Sequence, residues 1–212
     1  PGKALRHIAG EPLIKRVIDR VSKVKNLSTI VVATSNSKTD DRLTQYIQSL
    51  NIEVFRGATH DVLNRAVSCA SYLGVDKFIR INGDSPLIDP ELLEKGIEMW
   101  REPNLDLISN VFPRTYPVGT SVEIIKTDSL KKILSLTVDS CDREHVTRFF
   151  YRNPEKFRIL NFESGRSELR EVRLAVDTEE DLERIDWLFK EFGGLINFEM
   201  AAEKSLLWSR VE

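Results

Sequence analysis

The chain has 212 residues, of which 41% are hydrophobic and 30% charged, with a net charge of -2 at pH 7. This composition is that of a soluble globular domain, long enough to bury roughly 70% of its unfolded surface without staples. It excludes general polyanion binding, because neither a basic surplus nor a basic stripe is present, and no apolar run approaches the ~20 residues of a spanning helix.

The elements are read in chain order. Residues 4–10 form a loop with a turn at Gly10, and Pro12 suits the first position of a helix. Leu13, Val17, Val21 and Val24 recur at helical spacing. Ser28–Ala33 is a continuous β-branched run, which predicts a buried strand of a parallel sheet. Thr34-Ser35-Asn36-Ser37 is a polar loop, and a helix follows from about Asp40. Ile52–Phe55 is a short strand, Arg56-Gly57 a turn, Asp61–Leu73 a helix and Lys77–Ile81 a strand. Asp89 caps a helix opened by Pro90, and Leu105–Val111 is another strand. Short β-α alternation of this kind predicts right-handed crossovers and a mostly parallel sheet covered on both faces.

The alternation stops after Asn110. Phe112–Pro117 is a rigid loop, Val118–Ile125 alternates like a strand, and Ser129–Leu136 is a short helix. Arg143–Arg152 reads as one helix. Phe157–Phe162 and Glu171–Val176 read as strands, paired as a hairpin across Ser164-Gly165-Arg166. Thr178 with Asp181 approximates a capping box before a strong helix that ends at Gly193-Gly194. Ile196–Val211 reads as a final helix. No linker or repeat divides the chain, so residues 1–212 are expected to form one domain. Cys69 and Cys141 are far apart and match no metal spacing. They read as free thiols of a reducing compartment, and with no hydrophobic leader at the N-terminus the expected location is the cytoplasm.

The residues suited to chemistry gather at predicted strand ends. Arg80-Ile81-Asn82-Gly83-Asp84-Ser85-Pro86 leaves an apolar strand with a glycine, an acid and a helix breaker, poor material for packing but suited to meeting a ligand. A hard carboxylate ligand there suits Mg²⁺, which takes one or two carboxylates plus substrate phosphates. Asp177 ends a second strand, and Thr178 can serve as the helix cap, leaving Asp177 free to share the metal. Lys3 can place an ammonium on phosphate oxygens. Arg56, Asp61 and Arg65 form a further polar cluster, equally consistent with an i,i+4 Asp61–Arg65 pair on a solvated helix start. Arg80 is out of place in an apolar strand and is read as facing a ligand or a partner anion. His145 has no companion at ligand spacing, so transition-metal binding is not expected.

Taken in order, Pro1-Gly2-Lys3, Val32-Ala33-Thr34-Ser35, Phe55-Arg56-Gly57 with Asp61-Val62-Leu63, Arg80-x-Asn82-Gly83-Asp84-Ser85-Pro86-Leu87-Ile88-Asp89, Glu144-His145-Val146-Thr147 and Val176-Asp177-Thr178 resemble the cytidylyltransferases of the spore coat polysaccharide biosynthesis protein F type. These are related to the acylneuraminate and deoxy-manno-octulosonate cytidylyltransferases. The resemblance spans roughly residues 1–190 and implies an α/β fold: a three-layer, Rossmann-like, mostly parallel sheet with helices on both faces. It implies Mg²⁺-dependent transfer of CMP from CTP to a sugar or sugar-acid hydroxyl, with release of pyrophosphate. Carried onto this chain, it makes Lys3, Asp84 and Asp177 catalytic, with Asp84 and Asp177 as the metal ligands. It places Thr34, Ser35, Arg56, Arg65, Asn82 and Gly83 on the nucleotide, and Arg114, Glu123, Glu144 and His145 towards the acceptor. It makes residues 112–126 a dimerisation and acceptor-side segment, so that a homodimer is expected and neither nucleic acid nor membrane is a partner. Family members begin with a strand and an Arg/Ser/Gly-bearing loop running into Pro-Gly-Lys, so that loop is expected upstream of Pro1. A glycosyltransferase of similar fold would usually show Asp-x-Asp where Asp84-Ser85-Pro86 stands. A sugar-1-phosphate nucleotidylyltransferase and an inactive nucleotide-binding module remain the other readings.

Overall fold

A computed structural model describes residues 2–102, 104–194 and 196–208. The chain opens with a two-residue hairpin, β1 (His7–Ile8) and β2 (Glu11–Pro12), turned by Ala9 and Gly10 at positive φ. Helix α1 (Leu13–Val21) follows directly, and Arg16 ties the hairpin down by donating to the carbonyls of Ile8 and Ala9. Then come β3 (Val31–Ser35), α2 (Asp41–Ser49), β4 (Glu53–Gly57), α3 (Val62–Tyr72), β5 (Lys77–Arg80) and α4 (Pro90–Met99). The second half holds β6 (Leu107–Ser109), β7 (Glu123–Lys126), α5 (Thr127–Leu136), α6 (Ser140–Glu144), α7 (Arg148–Arg152), β8 (Ile159–Asn161), α8 (Glu179–Phe192) and α9 (Phe198–Ser205).

The α/β architecture follows the expectation, with one qualification. Strands β3 and β4 pair in parallel, and β5, β7, β6 and β8 form a mixed four-stranded sheet in that order. Strand β7 runs antiparallel to both neighbours while β6 and β8 are parallel, so three of the four strands share one direction. Alternation along the strands makes the layers. Ile79, Ile108 and Ile124 face a core shared with Leu13 and Val17 of α1, Leu93 of α4 and Ile185 and Leu188 of α8. Their neighbours Phe78, Leu107 and Ile125 face a second core with Leu63 of α3, Leu130 and Ile133 of α5 and Phe150 of α7. A third core, around Ile14, Ile18 and Ile47, lies against Val32 and Val54 of the β3–β4 pair. Each fully buried aliphatic side chain contributes about 1.5–3 kcal/mol.

The strands Glu171–Val176 and Val118–Ile125, the single helix 143–152 and the length of the final helix are corrected. Glu171–Val176 is not a strand and forms no hairpin with β8, which instead pairs with β6. It begins as the end of a 3-10 turn over Ser167–Glu171 and then runs extended, joined to Val118 by a single parallel bridge to Arg173. That ladder does not grow, because its next donors are used locally: the Thr120 amide donates to the Pro117 carbonyl at 3.3 Å, the Val172 amide donates to the Leu169 carbonyl at 3.0 Å, and Gly119 turns away at φ 101. A Cβ at Gly119 would sit 2.5 Å from the Ala175 amide nitrogen, so no other residue fits. For the same reason Val118–Ile125 yields only β7 at its far end. The predicted helix 143–152 is two helices, α6 and α7. The break turns the consecutive β-branched residues Val146 and Thr147 into the body, and the buried Asp142 of α6 pairs with Arg148 of α7. The segment 112–126 is mostly interior: Thr115, Tyr116, Thr120 and Val122–Ile125 are buried, and Phe112 and Pro113 are its exposed part. The final helix is the shorter α9, and the end of the expected element, residues 209–211, lies outside the described residues. Among the described residues, no helix is long and apolar enough to cross a membrane.

One buried cation ties the layers together. Arg20 of α1, 4% exposed, donates to the carbonyls of Ile88 at 2.5 Å, Gly194 at 2.7 Å and Ile196 at 2.9 Å. It thereby pins the stretch after Asp84 and the segment after α8 to the first helix. Replacing it leaves three carbonyls without a donor, each costing about 1–3 kcal/mol if it stays dry. The expected effect of Arg20→Met is a loss of about 3 kcal/mol of stability, read as a lower urea midpoint at constant slope; an unchanged midpoint would contradict this role.

Candidate active site

Asp84 lies beyond the C-terminal end of β5, in the turn Asn82–Pro86, where the Ser85 amide donates to the Asn82 carbonyl at 3.2 Å. The Val176 amide donates to the Asp84 carbonyl at 2.9 Å, which brings the extended segment 172–176, and Asp177 after it, alongside that turn. Thr178 caps α8 by accepting from the Asp181 amide at 3.1 Å, and the buried Asp181 carboxylate accepts from the amides of Thr178 and Asp177 at 3.0 and 3.1 Å. Burial pushes the Asp181 carboxyl upward, but these amides and the Arg184 guanidinium outweigh it and hold the group below its ordinary range. The cap is therefore complete without the side chain of Asp177, as the sequence suggests.

That side chain meets the other two predicted catalytic residues. Lys3 Nζ lies 3.4 Å from Asp84 Oδ2 and 3.4 Å from Asp177 Oδ1. The second Asp177 oxygen accepts from Arg173 Nη1 at 2.6 Å, and Asp84 Oδ1 accepts from Ser85 Oγ at 3.2 Å. Residues 3, 84 and 177 thus converge from three separate parts of the sequence. All three side chains are part exposed, so each ion pair is worth at most about 1 kcal/mol. The pairs add little to fold stability but leave the groups free to exchange partners. The ammonium also tests metal fit: it shows that Asp84 and Asp177 can both reach a single cation. Among the described residues no group of three or more His, Cys, Asp or Glu gathers as a metal cage. Two carboxylates with the remaining oxygens supplied by phosphate and water is an arrangement that suits Mg²⁺.

Of the residues expected on the nucleotide, Thr34, Ser35 and Arg56 lie at the ends of β3 and β4, where Thr34 faces Arg56 and Ser35 faces Gly57. The hydroxyls of Thr34 and Ser35 are buried and both donate to Asp40 Oδ2, at 2.7 and 2.6 Å. Burial raises the Asp40 carboxyl, yet these donors hold it below its ordinary range. Arg56 donates to the carbonyls of Ser35 and Ser37 and to Asp41. Thr34, Ser35 and Arg56, which stand in strands where the sequence predicts a polar loop and a turn, therefore spend their side chains on holding the segment that follows β3. Asp61 is not paired with Arg65: it caps α3 through the Asn64 amide and accepts from Arg143 at 3.0 Å. Arg65 donates once, to the Ala58 carbonyl at 2.7 Å, and burial lowers its pKa. Among the described residues it is the cation of this cluster with donors to spare. Asn82 and Gly83 are exposed in the turn beside Asp84.

The residues expected on the acceptor side divide. Glu144 and His145 are exposed at the break between α6 and α7. Arg114 donates to the Pro117 carbonyl at 3.3 Å and to Ser121 Oγ at 3.1 Å, and burial lowers its pKa. Glu123 is only 3% exposed and is taken up by Arg80, Thr147 and Tyr151, so it supports the surface rather than forming it. Sequence reasoning missed Arg173, Thr147 and Tyr151. Only Glu144-His145-Val146-Thr147, quoted as a motif, contained a signal for one of them.

Comparison with known proteins gives the family. The family profile described as cytidylyltransferase matches residues 1–209. The spore coat polysaccharide biosynthesis protein SpsF of Bacillus subtilis is 30% identical over 199 residues, covering 91% of this chain and 82% of that protein. A solved cytidylyltransferase from Leptospira borgpetersenii superposes with a TM-score of 0.90 at 26% identity, covering 96% of this chain and 87% of that one. The structure of a CMP:2-keto-3-deoxy-manno-octonic acid synthetase complexed with CTP shares the fold, with a TM-score of 0.71 at 19% identity over 90% of this chain and 92% of that one. The chain is a nucleotidyltransferase and belongs to the cytidylyltransferase family.

Proposed function

We propose that this enzyme transfers CMP from CTP to a hydroxyl of a sugar acid and releases pyrophosphate, with Asp84 and Asp177 holding a magnesium ion. The observation that carries this reading is the ammonium of Lys3 set 3.4 Å from each carboxylate. The similarity to a CMP–sugar-acid synthetase fold supports the choice of substrates. A magnesium ion bound there would neutralise charge on the α-phosphate and on the leaving pyrophosphate. The acceptor hydroxyl oxygen forms a bond to the α-phosphorus as the bond from that phosphorus to the bridging oxygen of the β-phosphate breaks, and the hydroxyl proton is given up to water. Such a displacement needs positioning and charge neutralisation more than a covalent catalyst. Asp84 and Asp177 fix the cation. Lys3 leaves the carboxylates for the triphosphate, exchanging two weak surface pairs for a charge-assisted contact with phosphate oxygens. Arg173 stays on Asp177 and keeps that carboxylate oriented. Arg65 faces the nucleotide, and Glu144 and His145 face the acceptor. The exposed Phe112 stacks on Tyr151 at 5.0 Å, and its amide donates to Asn161 at 3.0 Å. With Pro113 it gives a fixed apolar knob, which we assign to a homodimer contact.

Asp84→Asn keeps the shape of the turn but removes a charge. Pyrophosphate release from CTP is expected to fall at least about a hundredfold while the thermal midpoint stays within a few degrees. Turnover with unchanged Mg²⁺ dependence would sink the metal role.

Lys3→Met separates its two states. Pyrophosphate release should fall by a similar factor. Binding of Mn²⁺ alone, followed by electron paramagnetic resonance, should tighten by about three- to tenfold, because the competing ammonium is gone. Weaker Mn²⁺ binding in the variant would contradict the exchange.

Light scattering at micromolar concentration should give twice the 24.3 kDa chain mass, reduced to one chain by Phe112→Asp. A monomer in the wild-type protein would contradict the contact.

A further inference from the structure

Arg80 ends β5, whose preceding residues Phe78 and Ile79 face the two apolar cores. Its side chain is 24% exposed, and Nη1 donates at 2.7 Å to Oε2 of Glu123, the facing residue on β7. The other Glu123 oxygen accepts from Thr147 Oγ1 at 2.7 Å and from the Tyr151 hydroxyl at 2.8 Å. Tyr151 is itself held by Ser109 at 2.8 Å, from the adjoining strand β6. A buried carboxylate is thus fixed from three sides and spends one oxygen on holding Arg80.

Arg80 lies at the end of the sheet from which the Asn82–Pro86 turn and Asp84 leave. Among the described residues, Nε and Nη2 of Arg80 donate to no protein acceptor. A guanidinium recruited only to neutralise Glu123 needs no open edge. One held at a single nitrogen has already lost much of its rotamer freedom, and its remaining donors match a carboxylate fork.

We infer that Arg80, held by Glu123, binds the carboxylate of the acceptor and sets the preference for an acidic over a neutral sugar. The inference rests on the proposed sugar-acid transfer, so its test measures binding rather than turnover. The probes are 2-keto-3-deoxy-manno-octonic acid and its methyl ester, titrated calorimetrically onto the full chain. The wild-type protein should bind the acid at least about tenfold more tightly than the ester. Arg80→Lys should keep part of that preference, since it retains charge without the fork. Arg80→Gln leaves Glu123 buried without its cation, so the variant Arg80→Gln/Glu123→Gln, which removes both charges together, is measured beside it. The double variant should melt cooperatively and bind acid and ester alike. Equal binding of the two probes by the wild type, binding of neither, or a preference that survives in the double variant overturns the inference. Pyrophosphate release from CTP, assayed on the same wild-type preparation with a panel of sugar acids, judges the proposed reaction separately.

Discussion

The Val176 amide donates to the Asp84 carbonyl at 2.9 Å, and the site depends on that bond. It is a backbone contact between two segments that are far apart in the chain and are not paired in a regular ladder. It sets the turn after β5 beside the entry to α8, so the carboxylates of Asp84 and Asp177 share one ammonium. Everything behind it keeps it in place. Arg20 holds the carbonyl of Ile88 and the segment after α8 against α1, and the Thr178–Asp181 cap fixes where the helix begins. The buried network stiffens the frame, while the weak, part-exposed ion pairs of the site are those that can be exchanged for a ligand.

The same division recurs across the molecule. Residues that look equally polar in sequence separate into those spent on internal partners and those left open. Thr34 and Ser35 give their hydroxyls to Asp40, Arg56 gives its donors to loop carbonyls and Asp41, and Glu123 is enclosed by Arg80, Thr147 and Tyr151. Lys3, Arg65, Asn82, Glu144 and His145 keep exposed surface or spare donors. Burying a charge is costly unless it is paired, so the enclosed groups arrive with partners and the open ones do not need them.

Much of this was legible in the sequence where local chemistry decides. The Asp89-Pro90 start of α4, the Thr178–Asp181 capping box and the strand β5 running into its Gly-Asp turn each carry their signal within a few residues. The convergence of Lys3, Asp84 and Asp177 came from motif order, since no periodicity relates positions so far apart. Long-range choices were not legible. Glu171–Val176 has the composition of a strand, but whether it joins a ladder depends on the segment opposite, where the chain turns at Gly119 and the Thr120 amide is spent on Pro117. The break at His145 depends on where Val146 and Thr147 find partners, and Thr147 finds Glu123 on β7. The reversed strand β7 cannot be distinguished from a parallel one by its own residues.

The central claim is that Asp84 and Asp177 together hold the cation that Lys3 now replaces. A crystal structure of the protein with CTP and magnesium tests it most directly. The account predicts one ion with an oxygen from each carboxylate at about 2.1 Å, and the Lys3 ammonium displaced onto the phosphates. Nucleotide bound with the ion elsewhere, and Lys3 still seated between the two aspartates, would contradict it.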